Sequence, residues 1–233
     1  MAVGPQQSRP RTIIGRAEPS EMKAFDVQAE YWDAVADSKT FTHPLPMTVL
    51  QGLVSPAAKI LDYGCGYART CCELLEAGFQ NVCGVDISTA MINRGRRGNP
   101  NMDLRTFDGN SVDYEDGAFD ACLLMAVLTC IPSNRGQEIA IANVHRLLSA
   151  GGIALVSDYP LQTDARNLRR YQEYEQEFGV LGMFRTQGVV VRHHDMRWIH
   201  ELLSEFEILW KQEIRVRTMN GHDSDVFQII VRK

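Results

Sequence analysis

The chain has 233 residues, 45% of them hydrophobic and 23% charged, and its 24 basic and 29 acidic side chains give a net charge of −5 at pH 7. This composition is typical of a globular protein, and it argues against nucleic acid or an anionic membrane as the partner, because both need a basic surface. No run approaches the roughly 20 apolar residues that cross a bilayer, and the N-terminus has no apolar core of signal-peptide length, so we expect a cytoplasmic protein without a membrane span.

The N-terminal region is expected to differ from the rest of the chain. Residues 1–20 are rich in Pro, Gln, Ser and Arg, which predicts a flexible N-terminal segment. Residues 21–233 are expected to form a single domain. From 21 to about 54, apolar side chains recur at helical spacing, with an interruption at Pro44 and Pro46. We interpret 21–54 as a helical lid.

Strands and helices then alternate along the chain. Strands are predicted at 59–62, 82–85, 104–107, 119–125 and 153–157, and helices at 68–77, from Ser88 onward, and at 135–148. Apolar strands that alternate with helices are typical of a parallel sheet covered by helices on both faces. The fold class is therefore α/β, a Rossmann-like three-layer sandwich.

The pattern changes after Pro160. A charged helix is followed by two apolar runs that predict a hairpin turning at Gln187-Gly188. We interpret 160–194 as an inserted helix and hairpin. A helix after Asp195 leads to two strands at 207–217 and 226–232. The prediction is a mostly parallel seven-stranded sheet with an antiparallel C-terminal strand.

The cysteines do not indicate a metal site. All six lie between Cys65 and Cys130, without the two-pair spacing of a zinc centre. Cys71 and Cys72 are adjacent, so on a helix their side chains point about 100° apart. We expect buried thiols in a reducing compartment and no bound metal. A reactive or metalloid-binding thiol is the alternative.

Two glycines and three acids follow the first three predicted strands. Gly64 and Gly66 lie between the first strand and the next helix, where glycine lets backbone N–H groups approach a ligand. Asp62 precedes them and suits a ligand that carries an ammonium group. Asp86 follows the second strand, where a carboxylate can bind ribose hydroxyls. Asp108, after the third strand, can meet an adenine amine.

These segments resemble the class I S-adenosylmethionine-dependent methyltransferases. The matching stretches are "ILDYGCGYAR", "GVDIS", "TFDGN", "AFDACLLMAVL" and "LLSAGGIALVSDY", in the order and spacing of the family. The resemblance covers about residues 59–159 and extends more loosely to the last two strands. Ala68 departs from the pattern, since the family most often has a third glycine there. NAD is the main alternative cofactor, and Asp62 and the antiparallel C-terminal pair argue against it.

The resemblance implies a set of cofactor-binding residues for S-adenosylmethionine. The methionine end would be held by Asp62, Gly64 and Gly66, the ribose by Asp86, the adenine by Ile87, Asp108 and Gly109, and the wall near the sulfonium would be formed by Met125 and Ala126. Tyr31 and Trp32 are candidates to cover the cofactor, and packing in the core is an equal alternative for that pair.

The methyl acceptor is expected at the carboxyl ends of the strands, where open parallel sheets bind their ligands. That edge includes Asp158 and Tyr159 after the fifth strand and the turn with His222 before the last. His194 and His222 are candidate catalytic bases, since histidine titrates near neutral pH. Asp158 and Tyr159 are orienting or alternative groups. His194 could instead simply precede a helix, and His222 could be an exposed turn residue.

The predicted activity is transfer of a methyl group to an oxygen, nitrogen or other nucleophilic atom of a small organic molecule. A non-catalytic S-adenosylmethionine-binding sensor or partner subunit is one alternative, because the acids bind cofactor without doing chemistry. An RNA or protein methyltransferase is another. The oligomeric state, monomer or homodimer, stays open.

Overall fold

A computed structural model describes residues 26–233. The predicted flexible segment and the first residues of the predicted lid, 1–25, lie outside the described residues. The strands are β1 (Lys59–Tyr63), β2 (Asn81–Asp86), β3 (Leu104–Thr106), β4 (Phe119–Met125), β5 (Leu148–Asp158), β6 (Met183–Thr186), β7 (Val189–Arg192), β8 (Glu207–Arg217) and β9 (Asp223–Arg232). The helices are α1 (Ala29–Val35), α2 (Met47–Leu53), α3 (Arg69–Glu76), α4 (Thr89–Gly98), α5 (Asn134–Leu147), α6 (Ala165–Phe178) and α7 (Met196–Leu202).

Seven of these strands form one sheet, in the order β3-β2-β1-β4-β5-β9-β8. Strands β1 to β5 are parallel, and β9 is antiparallel to both of its neighbours, β5 and β8. The predicted Rossmann-like sheet with an antiparallel C-terminal strand is confirmed. Within residues 26–233, no helix combines the length and apolar content needed to cross a membrane.

The sheet is buried on both faces, which explains the continuous apolar runs of its central strands. Alternate residues of β4 point to opposite faces: Cys122 and Leu124 pack in the cluster that contains α5 and α7 residues, whereas Ala121 and Leu123 pack with α2 and α3. Helices therefore cover both sides of the strand, and the predicted three layers are present.

The strand order reverses between β1 and β4, and this places a crevice at their carboxyl ends. The chain leaving β1 turns sharply there, since the N–H groups of Gly64 and Cys65 both donate to the carbonyl oxygen of Val85 at 2.8 and 2.9 Å. The loops after β1, β2, β4 and β5 all open onto this carboxyl edge.

The N-terminal helix is shorter than predicted. The pattern extended the helix toward Pro44, but α1 ends at Val35 and most of the chain up to Pro46 is non-helical. Arg94 donates to the carbonyl oxygens of Ala36 and Lys39 at 2.6 and 2.8 Å. These carbonyls are therefore bonded to the domain body instead of to a continuing helix.

The predicted hairpin is present. Strands β6 and β7 pair in antiparallel fashion, with Thr186 opposite Val189. The two residues between them, Gln187 and Gly188, both have positive φ, at 49° and 88°, as a two-residue type I′ turn requires. After β7 the chain returns to the sheet, where His194 forms a parallel bridge with Pro160.

Candidate cofactor and acceptor site

A cavity of about 140 Å³ lies at the carboxyl edge of the sheet. Its walls come from the loops after β1, β2, β3, β4 and β5 and from the N-terminal segment, by which we mean residues 26–46. Met219, in the turn between β8 and β9, completes one side. The predicted position of that turn on the same edge as the loops is correct.

The glycine loop forms one wall of the cavity. Gly64 and Gly66 have φ of +80° and +54°, in the left-handed region that disfavours side chains. A Cβ atom on Gly64 would lie 2.6 Å from Val127, and one on Gly66 would lie 2.3 Å from the Phe41 ring. The loop thus needs glycine for its backbone conformation and for close approach. The N–H groups of Gly64 and Cys65 are bonded to Val85 and that of Gly66 to Asp86, so the loop contributes the shape of the wall.

Asp86 joins this loop to the start of α4. Its Oδ2 accepts the N–H of Gly66 and its Oδ1 accepts the N–H of Ser88, both at 2.8 Å. Burial raises the pKa of this carboxyl to about 6, while the bonds from Ser88 and Gly66 lower it. Besides these two bonds, each carboxylate oxygen has a second lone pair. Asp86 lines the cavity, so these lone pairs fit the two hydroxyls of a ribose.

Asp62 lies beneath the loop and outside the cavity wall. Its side chain is completely buried, the Cys71 thiol donates to Oδ2 at 3.5 Å, and Oδ1 has no hydrogen-bond partner within residues 26–233. A buried carboxylate oxygen without a donor is costly. An ammonium group, such as that of S-adenosylmethionine, is the kind of partner that would offset this cost. Since Asp62 does not line the cavity, its contact with the cofactor stays a prediction.

The pKa of Asp62 leads to a prediction about pH. Burial raises it to about 7, against smaller opposing effects of Cys71 and Arg69; Asp86 and Glu73 raise it further. Because the folded state holds this proton more tightly than the unfolded state, the ligand-free protein should lose stability as pH rises from about 4 toward 7. S-adenosylmethionine binding, which needs the carboxylate, should tighten toward pH 8, by at most about tenfold per pH unit per proton.

Calorimetric titrations with S-adenosylmethionine between pH 5.5 and 8, with thermal melts of the free protein, test this prediction. In Asp62→Asn, the change of affinity with pH near pH 7 should disappear. The change near pH 6, which we assign to Asp86, should remain. A wild-type affinity independent of pH would contradict the assignment of Asp62 to the ammonium group.

Asp108 lies differently from the other two acids. Its side chain is exposed, and its Oδ1 accepts the N–H groups of Asn110 and Ser111 at 2.8 and 3.1 Å, which builds a local turn. These bonds lower the pKa of Asp108 despite an opposing contribution from desolvation. The neighbouring Phe107 and Gly109 line the cavity and Asp108 does not. Contact of Asp108 with an adenine amine stays a prediction.

Of the remaining predicted cofactor residues, four line the cavity and one does not. Ile87, Met125, Ala126 and Trp32 line the cavity. Ala126 has a φ of +57°, unusual for a residue with a side chain, and its N–H donates to the Ser157 carbonyl at 2.8 Å. Tyr31 is not part of the wall and packs edge-on against Trp32 with ring centroids 5.0 Å apart.

On the acceptor side, Tyr159 lines the cavity and Asp158 supports it from behind. The buried Asp158 carboxylate accepts the N–H of Thr129 at 3.0 Å through Oδ2 and the N–H of Tyr159 at 2.8 Å through Oδ1. Thr129 is also part of the cavity wall. Asp158 therefore positions two wall residues and does not itself face the cavity.

The two histidines predicted as catalytic bases lie away from the cavity wall. His194 is fully buried with Nε2 3.6 Å from Asp158 Oδ1, and neither ring nitrogen has a hydrogen-bond partner in the part of the chain that the structure describes. Its backbone bonds to Tyr159 and Leu161 hold the segment after β7 beside the end of β5. His222 is exposed in the last turn. Packing against the sheet and exposure in a turn explain their positions.

His43 belongs to the N-terminal region that the sequence predicts as a lid, and the structure places it in the cavity wall. It is 4% exposed, lines the cavity and packs edge-on against Tyr159 with ring centroids 4.8 Å apart. Phe41 and Met219 were missed, since no local pattern indicates which side chains of a distant loop will cover a site.

The N-terminal segment is held to the domain body at several points. The Gln28 amide donates to the Val190 carbonyl of β7 and accepts the Val190 N–H, both at 2.8 Å. Asp33 accepts bonds from Ser88 Oγ at 2.6 Å and from the N–H of Ala90 at 2.9 Å, at the start of α4. The segment is thereby joined to both the hairpin and the cofactor side of the sheet.

Main-chain carbonyls of the segment are also bonded directly. Arg69 donates to the carbonyl of His43 at 2.6 Å and Gln228 donates to that of Pro44 at 2.8 Å. At the rim, Lys39 Nζ donates to Gln187 of the hairpin at 2.7 Å and to Asn220 of the last turn at 3.3 Å. Three separate parts of the chain therefore meet above the cavity.

Comparison with known proteins agrees with this geometry. Residues 61–156 match a family model described as a methyltransferase domain. The chain is 27% identical over 201 residues to the eEF1A lysine and N-terminal methyltransferase of Bos taurus, an alignment that covers 79% of this chain and 27% of that protein. It is 28% identical over 166 residues to the EEF1A lysine methyltransferase 4 of Mus musculus, covering 61% of this chain and 65% of that one. The chain thus spans about a quarter of the length of the first relative.

A solved structure shows the same fold. The S-adenosylmethionine-dependent methyltransferase of Methanosarcina mazei superposes with a TM-score of 0.76 at 22% identity, over 82% of this chain and 98% of that one. The matched domain contains the glycine loop, Asp62, Asp86 and the strand reversal at which the cavity lies. Residues 61–156 therefore form a methyltransferase domain, and the sheet that contains it has the fold of a solved S-adenosylmethionine-dependent methyltransferase.

Proposed function

We propose that the protein transfers the methyl group of S-adenosylmethionine to a small organic acceptor. The observation that carries the proposal is the position of Asp86, whose carboxylate orders the glycine loop and has free lone pairs at the cavity wall. The buried oxygen of Asp62 beneath the loop supports a cofactor with an ammonium group. Gly109, Ile87 and Phe107 supply a narrow apolar surface that suits an adenine.

A covered cavity supports a compact acceptor. The N-terminal segment, the hairpin and the last turn meet through Lys39, which bonds to Gln187 and Asn220. We propose that the N-terminal segment acts as a lid. Methyl transfer is a displacement at carbon that depends on alignment and on exclusion of water, and a lid of this kind supplies both.

A lysine side chain of a protein is the second candidate acceptor. The two curated relatives described above are named as lysine methyltransferases. A lysine side chain is a long apolar stem with an amine at its tip. Exposed Met219, at the cavity wall, offers an apolar surface on which such a stem can pack. The net charge of −5 favours a basic partner over RNA.

Turnover measurements test the proposal. The purified protein is incubated with S-adenosylmethionine and separate panels of small amines, phenols, thiols and lysine-containing peptides, and formation of S-adenosylhomocysteine is measured. We expect turnover with a small molecule. Turnover confined to peptides would favour the lysine alternative, and cofactor binding without turnover on any panel would favour a sensor. Affinity for RNA that falls steeply with salt would indicate a nucleic-acid substrate.

A further inference from the structure

The ring of His43 presents a polar atom to the acceptor side of the cavity. The side chain is 4% exposed and forms part of the wall beside Tyr159 and Thr129. Its Nε2 is buried and has no hydrogen-bond partner within residues 26–233. A buried polar atom is normally hydrogen-bonded. Nε2 is therefore an atom to which a ligand of the cavity can bind.

The other ring nitrogen is fixed by a polar chain that crosses the sheet. His43 Nδ1 lies 3.5 Å from Ser157 Oγ. Gln228 Nε2 donates to Ser157 Oγ at 3.2 Å and to the Pro44 carbonyl at 2.8 Å, while its Oε1 accepts from Gln212 at 2.6 Å. Since a carbonyl can only accept, the orientation of the Gln228 amide is defined. The chain anchors the imidazole from the side opposite to Nε2.

The surroundings keep this imidazole neutral. Burial lowers the pKa of His43 to about 4; Asp158 raises it, Arg69 lowers it, and a bond to the Ser157 backbone raises it. The edge of the Tyr159 ring completes the contacts. A neutral histidine can form a directed hydrogen bond to a ligand, but at pH 7 it takes up a proton poorly.

The other titratable side chains near the acceptor side have pKa values shifted away from neutrality or are held in hydrogen bonds within the protein. Burial raises the pKa of the Tyr159 phenol. His193 is bonded through Nδ1 to the Tyr171 hydroxyl at 2.6 Å, and burial lowers its pKa to about 3. Asp158 already accepts two backbone N–H groups. Asp26, which also lines the cavity, accepts the N–H of Ser133 through Oδ1 and the Ser133 hydroxyl through Oδ2. A hydroxyl acceptor would need a base to remove its proton, and each of these side chains is engaged elsewhere or has an unsuitable pKa.

We propose that the methyl acceptor is an amine, and that His43 Nε2 accepts a hydrogen bond from the N–H of the attacking nitrogen. This inference rests on the proposed methyl transfer. The neutral amine uses its own lone pair to form the new C–N bond while the carbon–sulfur bond breaks and its electron pair stays on sulfur. The product is an ammonium ion and S-adenosylhomocysteine, and the ammonium later loses its proton to water. No protein base is needed.

Matched acceptors test the amine class. At saturating S-adenosylmethionine, the turnover of benzylamine is compared with that of benzyl alcohol and phenol. The turnover of a lysine-containing peptide is compared with that of its arginine analogue, which distinguishes a small amine from a protein amine as the acceptor. We expect turnover with an amine, with kcat/KM rising about tenfold per pH unit until the pKa of the amine itself is reached. Turnover of the alcohol or phenol alone would overturn the amine inference while leaving methyl transfer standing. Cofactor binding without turnover of any acceptor would overturn the proposed function itself.

Two substitutions test the role of Nε2. In His43→Asn the amide replaces the Nδ1 side of the ring, whereas in His43→Gln it reaches the position of Nε2. We expect His43→Asn to lower kcat/KM for the amine about 100-fold and His43→Gln to recover most of that loss, with S-adenosylhomocysteine affinity unchanged in both. Equal loss in both variants, or a matching loss of cofactor affinity, would assign His43 a purely structural role.

A measurement independent of turnover completes the test. In protein labelled with ¹⁵N-histidine and saturated with S-adenosylhomocysteine, benzylamine should shift the Nε2 resonance of His43 and leave that of exposed His222 in place. A benzylamine complex detected by calorimetry without a His43 shift would overturn the proposed contact.

Discussion

Replacing Asp86 with alanine should weaken S-adenosylmethionine binding at least tenfold and destabilise the ligand-free protein by about 2–4 kcal/mol. The affinity loss follows from the charged hydrogen bonds to ribose, each worth about 1.5–3 kcal/mol. The stability loss follows because the N–H groups of Gly66 and Ser88 lose their acceptor, and a buried donor left unpaired costs about 1–3 kcal/mol. Calorimetry and denaturant unfolding measure the two effects separately.

Asp103→Ala is the matched control for Asp86. Asp103 is an exposed acid that pairs with Arg105 at 2.8 Å, away from the cavity. Its loss should change stability by about 1 kcal/mol or less and leave cofactor affinity unchanged. If Asp86→Ala behaved like Asp103→Ala, the ribose assignment would be wrong.

Gly66→Ala should abolish measurable S-adenosylmethionine binding and destabilise the protein by more than its backbone strain alone. A side chain at a φ of +54° costs about 1–2 kcal/mol, and the new Cβ would lie 2.3 Å from the Phe41 ring. Phe41 would have to move away from the loop. Melting temperature and cofactor affinity of the variant test this expectation.

Gly179→Ala is the control that separates the cost of backbone strain from the cost of the new Cβ contact. Gly179 has a similar φ of +65°, but a Cβ there would meet nothing within 4 Å. It should lose about 1 kcal/mol and keep cofactor affinity. In the double variant Gly66→Ala with Phe41→Ala, removal of the ring should recover part of the lost stability. Additive losses would show that the Phe41 contact is not responsible.

The strands of the sheet could be predicted because each is marked by a short pattern of neighbouring residues. The central strands are apolar runs bounded by helices, and predicted and observed strands differ mainly at their ends. The largest difference is β5, which begins at Leu148 instead of 153 because Leu148 pairs with Phe119 before an irregularity in the ladder. Asp62 and Asp86 could be found because each lies at the carboxyl end of a strand, next to the glycine loop.

The sequence indicated that Tyr159 and the N-terminal region lie near the acceptor, but the contacts between them could not be predicted, because they depend on residues far apart in the chain. The path of the N-terminal segment depends on bonds such as Gln228 to the Pro44 carbonyl, between residues 184 positions apart. His43 lies on this path, next to Pro44. His194 and His222 were chosen from their positions relative to strands, and the structure places one in the core and the other in solvent. Burial of a loop residue is decided by tertiary packing, which a single sequence does not display.

Ala68 illustrates a local departure with a structural cost. The family most often has glycine there, and the residue indeed adopts a φ of +65° at the start of α3. The buried Cβ packs with Cys71 and Ile92. Contact in this small cluster offsets part of the cost of a left-handed conformation, which is about 1–2 kcal/mol for a residue with a side chain.

The way in which the N-terminal segment is held has a consequence for how this protein can evolve. Arg69, Arg94 and Gln228 bind the segment through the carbonyl oxygens of Ala36, Lys39, His43 and Pro44. Every residue type has this carbonyl, so these contacts place no demand on the side chains of those positions. Residues facing the acceptor can therefore be exchanged while the segment keeps its path. Within residues 39–43 this applies best to Thr42, which is exposed at the cavity wall. Lys39 and Phe41 also hold the segment through their side chains, so directed evolution of the cavity wall starts at Thr42.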